Sequence, residues 1–352
     1  MSAVTLSTPA KPAPTLPPDG AEPQHRPSGT GSRPAWLTAG LVGAVAGSLA
    51  ILFLTHAWSV AGATIHVPQA VVLGAVEGIT EFLPISSTGH LVLTERLFGL
   101  GGTSRALTAL DSYAVIIQGG AILAVAWLFW DRLLGLALAL GGMLRLPGFR
   151  REVAPSDRRL ALAVVVALAP AGLIGFLLGD AAQHHLFSPV PIALAWLAGG
   201  GALLATAGWL HRRGTEGAAW VGLDSVTARQ ALLVGLAQVL ALWPGVSRSL
   251  VTIAAGCLVG LSLTAAVELS FLLGFFLLVG ASGLEIVKHG GDIVAAFGWA
   301  DPLLGLGVAF VSAIAAIRWL LRVISGRSLA GFGWYRLAAG ALALALVAAG
   351  RI

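Results

Sequence analysis

Glu77 and Glu81 stand four residues apart, which places both on one face of a helix. Carboxylates that close repel, so they would share a proton or a divalent cation. A shared hard cation suits a phosphate substrate, because it can bridge carboxylate and phosphate oxygens. A structural pair bonded to backbone at a helix break is the plainer alternative. Downstream come Pro84, then Ser86, Ser87 and Thr88, then His90. The proline stops a helix and the hydroxyls can cap the next one. His90 falls one turn into that next helix, where it is a candidate general acid, base or nucleophile. A hydrogen-bonded structural histidine is its alternative. A second stretch carries Pro244-Gly245 followed by Ser247, Arg248 and Ser249. Capping alone would explain those serines too. Arg248 offers a fork of donors suited to phosphate oxygens, or a salt bridge to a glutamate of the first stretch. A helix N-terminus at each stretch adds free N–H groups and partial positive charge, which together favour an anion.

Composition decides what must position these residues. The chain has 352 residues, 57% hydrophobic and 11% charged, with a mean hydropathy of +0.88. A soluble fold of that composition would lack the polar groups to meet water over its surface. That excludes a cytosolic enzyme, a secreted disulfide scaffold and a disordered chain, and leaves an all-α polytopic membrane protein. A single cysteine, Cys257, forbids an internal disulfide and a cysteine metal cluster. The net charge of +5 is spread through short loops, so it reads as a membrane-orientation signal and not as a nucleic-acid surface.

Along the chain, residues 1–34 are proline-rich and read as a disordered cytoplasmic tail. Residues 35–60 hold a charge-free run, Trp36–Trp58, long enough for an extra N-terminal transmembrane helix. Residues 67–352 form the membrane-embedded domain. Its apolar runs are Ser112–Trp130, Leu160–Gly179, Ala181–His211, Ala266–Leu284, Pro302–Ile317 and Leu337–Gly350, the last beginning a few residues earlier. Two further segments, Val71–Leu100 and Gln230–Leu263, are apolar but broken near the middle. Laid together, Gly74 meets Gly235 and Glu77 meets Gln238. With one gap, Pro84 meets Pro244 and Ser87 meets Ser247. The expectation is an inverted-topology repeat with two re-entrant helix-loop-helix segments, repeat one about 67–210 and repeat two about 229–350. With the tail inside, sixteen of the 21 basic residues, Arg336 among them, fall on the cytoplasmic side, four fall outside and Arg248 lies at membrane depth.

Charge at that depth is costly, so Glu77, Glu81, Glu268 and Arg248 are functional candidates by default. Glu268 reads equally as a helix contact, and Trp243 as packing. Broken helices also suit a transporter or flippase, and a non-catalytic membrane scaffold is a third reading. Gly-rich faces could pack within the chain or between chains, which leaves a homodimer open.

Two motifs resemble one family. GAVEGITEFLPISSTGHL, Gly74 to Leu91, and ALWPGVSRSLVT, Ala241 to Thr252, are similar to the two signatures of the undecaprenyl-diphosphate phosphatases, the bacitracin-resistance proteins of bacteria. The likeness runs from about residue 67 to the C-terminus and includes IIQGGAILAV (Ile116 to Val125), SFLL (Ser270 to Leu273) and FGWYR (Phe332 to Arg336). It implies hydrolysis of undecaprenyl diphosphate to undecaprenyl phosphate, recycling a lipid carrier for the cell wall and conferring resistance to bacitracin, which competes for that lipid. It implies a bacterial cytoplasmic membrane, a site opening to the outer face, and dependence on magnesium or calcium held by Glu77 and Glu81. The catalytic set it implies is Glu77, Glu81, Ser87, His90 and Arg248. The phosphate-binding set is Ser86, Ser247, Arg248, Ser249 and Thr252. Departures are Thr264, where the family has a basic residue that could touch the lipid headgroup, and Phe276, where it has a proline that would kink a helix. Residues 1–60 lie outside the family core.

Overall fold

The computed structural model describes residues 65–100, 104–146, 153–214, 220–297, 300–324 and 329–352. The expected tail and extra span, 1–60, lie outside the described residues. The described chain is helical throughout: α1 (Val67–Thr80), α2 (Ser87–Leu97), α3 (Ser104–Leu128), α4 (Trp130–Met143), α5 (Pro155–Leu186), α6 (Pro189–Arg213), α7 (Ala228–Gln238), α8 (Arg248–Leu258), α9 (Leu263–Phe297), α10 (Ala300–Ile324) and α11 (Ala330–Ala348). Short 3-10 turns cover Leu223–Ser225 and Val239–Leu242. One isolated parallel bridge, Val221 with Leu261, is the only β pairing among the described residues.

Six helices (α3, α5, α6, α9, α10 and α11) are long and apolar enough to cross a membrane. They fall on the six apolar runs, of which Ala266–Leu284 is interrupted only by Glu268, and the chain is a multi-pass membrane protein. The last begins at Ala330, seven residues before its charge-free run. Helix α4 was passed over, because Asp131 and Arg132 read as the end of a span. Those charges instead open a separate short helix. Arg132 Nη1 sits 2.7 Å from Asp224 and 3.8 Å from Asp157, joining the starts of α4 and α5 to the turn before α7.

The broken segments repeat at a constant offset of 161 residues (Ser86 to Ser247). Gln69 and Gln230 each accept from the backbone N–H of the residue before their helix, at 2.7 and 3.0 Å. Ser86 and Ser247 cap α2 and α8 with φ of 75° and 76°, and these helices end at Leu97 and Leu258. No gap is needed. The expected match of Ser87 with Ser247 is therefore one residue out, and Pro84 stands opposite Gly245. Backbone conformation at the cap, which only certain residues tolerate at positive φ, sets the register more strictly than proline does.

The first helix of each broken segment packs chiefly on a helix outside that segment. Helix α1 lies against α10, and α7 lies against α5. The pairs α6–α11 and α3–α9 close the bundle. Small residues allow these approaches. A Cβ at Gly74 would run into the Gly305 carbonyl of α10, and one at Gly235 into the Ala167 carbonyl of α5. Gly74→Val is expected to cost about 3 kcal/mol through overpacking. Gly201→Ala, where a Cβ meets nothing within 4 Å, should be neutral or stabilising by up to about 1 kcal/mol. Thermal unfolding in detergent compares the two, and equal midpoints would show that the α1–α10 contact is not tight.

Candidate functional site

The two broken segments bring their loops together. Ser86 caps α2 by accepting from the Gly89 N–H at 3.5 Å. That leaves Ser87, the first helical residue, to donate its hydroxyl to Glu81 Oε2. Glu81 Oε1 accepts from Arg248 Nη2 at 3.1 Å. Arg248 Nη1 donates to the Ser270 carbonyl of α9 at 2.7 Å, and the guanidinium lies 5.3 Å from the Phe82 ring centre. Gly274 makes this possible, because a Cβ there would occupy the guanidinium's place. The salt bridge read as an alternative for Arg248 is thus present, and Arg248 lines the main cavity as well. Two buried charges offset each other's desolvation only when paired and hydrogen-bonded, as here.

That cavity measures about 590 Å³. Its polar wall includes Glu81, Ser86, Ser87, Thr88, Ser247 and Arg248. Its apolar wall includes Phe176, Leu242, Trp243, Phe276 and Leu284. Phe176 is 82% exposed, so the apolar wall reaches the outside of the bundle. Trp243, expected to be packing, is 41% exposed and lines the cavity instead. It follows the 3-10 turn, whose tight winding turns it off the helix axis. Phe276 lies within the unbroken α9, as loss of a proline predicts. Thr264 is exposed at the start of α9 and lines neither cavity described here.

Several expected site residues are engaged by partners within the chain. Ser249 donates to the Leu83 carbonyl at 2.7 Å. Thr252 donates to the Arg248 carbonyl at 2.9 Å and lies 2.7 Å from the Ser270 hydroxyl. Ser247 caps α8 by accepting from the Leu250 N–H at 3.3 Å. His90 has both ring nitrogens engaged, Nδ1 with the Ser86 carbonyl at 2.6 Å and Nε2 with the Tyr335 hydroxyl at 2.7 Å. A carbonyl can only accept, so the proton is assigned to Nδ1 and Nε2 accepts from Tyr335. Trp196 flanks the imidazole on another side, 4.6 Å between ring centres. Glu268 is half-buried on α9 and lines neither cavity.

Glu77 faces elsewhere. It lines a smaller cavity of about 80 Å³ with Ser87, Thr88, Glu95, Asp111 and Gln118. Ser87, Thr88 and Gln118 line both cavities and form the partition. Glu77 and Glu81 thus line different cavities, with Arg248 and Ser87 holding the Glu81 carboxylate. Glu77 is 1% exposed, and its Oε1 has no hydrogen-bond partner among the described residues. A buried oxygen of that kind is one a hard cation would take. Among the described residues, no three His, Cys, Asp or Glu side chains are grouped to enclose an ion. A cation at Glu77 or Glu81 would thus take the rest of its oxygens from hydroxyl, amide or backbone groups, from water or from substrate.

Arg336, which the charge count puts among the cytoplasmic-side bases, is not a solvated loop charge. It is fully buried. It donates to the Ala195 and Gly245 carbonyls at 2.9 Å each and to the Pro84 carbonyl at 3.5 Å. One side chain of α11 thereby ties α6 to both loops. Its neighbour Tyr335 holds His90. The signal was FGWYR itself, whose arginine lies seven residues into an apolar helix.

A family model described as bacitracin resistance protein BacA matches residues 70–342. A protein of Sorangium cellulosum named undecaprenyl-diphosphatase is 43% identical over 277 residues, covering 78% of this chain and 85% of that relative. Proteins of the same name from Acidovorax ebreus and Methylococcus capsulatus are each 40% identical, covering 80% and 78% of this chain and 95% and 93% of theirs. Arg336→Lys, which cannot reach three carbonyls at once, is expected to lower stability by about 3 kcal/mol. An unchanged unfolding midpoint in detergent would show that the loops hold without it.

Proposed function

Since the chain belongs to the family of the bacitracin resistance protein BacA, we propose that it is a membrane phosphatase that hydrolyses undecaprenyl diphosphate to undecaprenyl phosphate and inorganic phosphate. The observation that carries the chemistry is the chain of contacts Ser87–Glu81–Arg248 on the wall of the main cavity. A hydroxyl bonded to a carboxylate is a nucleophile beside its proton acceptor. An arginine beside them faces the charge that a phosphate brings.

In this reading the isoprenoid tail lies on the apolar wall of Phe176, Leu242, Phe276 and Leu284. The diphosphate meets Arg248 and the N-termini of α2 and α8. Ser87 Oγ attacks the terminal phosphorus while Glu81 takes its proton. The bond from that phosphorus to the bridging oxygen breaks, and the lipid monophosphate leaves. Water then cleaves the phosphoserine and releases inorganic phosphate. Glu77 and Glu81 would hold a divalent cation, magnesium or calcium, which supplies neutralisation of phosphate charge. Ser86, Ser247, Ser249 and Thr252 shape the two helix N-termini, and His90 braces the Ser86 carbonyl.

The concentration of basic residues on one side supports a cytoplasmic-membrane protein whose cavity opens to the outer face, with the two broken segments entering from opposite sides. Bacitracin, which competes for the lipid diphosphate, is countered by recycling of that lipid.

Purified protein in detergent should release phosphate from a prenyl diphosphate with magnesium or calcium and stop when EDTA is added. No release under any metal condition overturns the reading. Arg248→Ala is expected to abolish turnover in folded protein, and retained turnover removes its assigned role. Rapid quench should trap phosphate on Ser87. A phosphoenzyme at His90, or turnover in Ser87→Ala, assigns the attack elsewhere.

A further inference from the structure

Gln238 is 1% exposed and lines the main cavity, yet neither its amide nitrogen nor its amide oxygen has a hydrogen-bond partner among the described residues. Buried side-chain polar atoms are nearly always paired, and an unpaired amide is costly. It is the last residue of α7, just before the 3-10 turn that leads to Pro244-Gly245. The repeat offset of 161 residues (Ser86 to Ser247) makes it the counterpart of Glu77. Both residues are buried, both carry an unpaired oxygen and both line a cavity. Only their charge differs.

That difference fits what each cavity receives. On the main cavity wall Glu81 and Arg248 balance each other. A second carboxylate at position 238 would leave the cavity net negative and repel a diphosphate. An amide adds two N–H donors without charge. We propose that Gln238 contacts the substrate, donating its amide N–H to a non-bridging oxygen of the lipid diphosphate. The inference rests on the phosphatase reading above and adds a substrate ligand to it. The amide nitrogen that is unsatisfied in the free protein is satisfied by the phosphate, so its desolvation cost is met before the substrate arrives.

The test compares wild type with Gln238→Leu and Gln238→Glu in detergent. It reads kcat, KM, binding of a methylene-diphosphonate prenyl lipid, and the unfolding midpoint without ligand. Loss of one hydrogen bond to a charged group predicts that Gln238→Leu raises KM and Kd about tenfold. Its ligand-free midpoint should stay level or rise, because no bond within the chain is lost. Gln238→Glu keeps the shape and should weaken binding further at neutral pH. Wild-type KM and Kd in both variants overturn the proposal, as does a lowered midpoint in Gln238→Leu with affinity unchanged. In either case wild-type turnover leaves the phosphatase reading standing. A wild-type protein that neither binds nor hydrolyses the lipid overturns that reading and this proposal with it.

Discussion

A charge sunk in an apolar bundle must be matched where it lies, and two arginines turn that requirement into architecture. Arg248 spends its donors on Glu81 of the other loop and on a carbonyl of α9. Arg336 spends its donors on three carbonyls, one from each loop and one from α6. Neither side chain could be withdrawn to water without leaving its acceptors exposed to hydrocarbon. The broken helices, which would otherwise present raw backbone ends at this depth, are closed by the same contacts. The site is therefore held from behind by Arg336 and from within by Arg248.

The cavity's division follows from that bracing. Ser87 and Thr88 stand as a partition because the cap on α2 falls on Ser86 and frees the next hydroxyl. Glu81 turns to Arg248 on one side, and Glu77 is left on the other. Ser249 and Thr252, polar residues in the same motif, are consumed in fixing α8 against Leu83 and Ser270. Chemistry and scaffolding are interleaved along a few residues. A motif can mark a site without every member facing the ligand.

Much of this was legible in the sequence. Runs without charge give the six long helices, because hydrocarbon leaves few alternatives to an apolar helix. The two broken segments and their duplication follow from where charge and proline interrupt those runs, whereas a salt bridge from Arg248 to a glutamate is only one alternative that the sequence offers. Other features were out of reach for definite reasons. Arg336 counts as a loop charge by position, and only packing shows it pointing inward. The register slipped by one residue because proline was weighted over a positive-φ cap that composition does not display. Helix α4 was lost because two charges at its start resemble the end of a span. Which cavity each of Glu77 and Glu81 lines depends on which partners compete for a carboxylate, and helical spacing is silent on that.

The packing of α1 on α10 and of α7 on α5 bears on how the protein is made. Helix α7 emerges when its principal neighbour, α5, is already in place. Helix α1 has no such fortune, since α10 lies more than two hundred residues further along the chain. Until then a short helix carrying a buried acid must wait in the bilayer or at its surface. Long-range pairing of this kind is slow and leaves apolar faces unprotected. Biogenesis of the first half is thus hostage to translation of the last quarter, and truncated chains would expose the acid-bearing segment to membrane quality control.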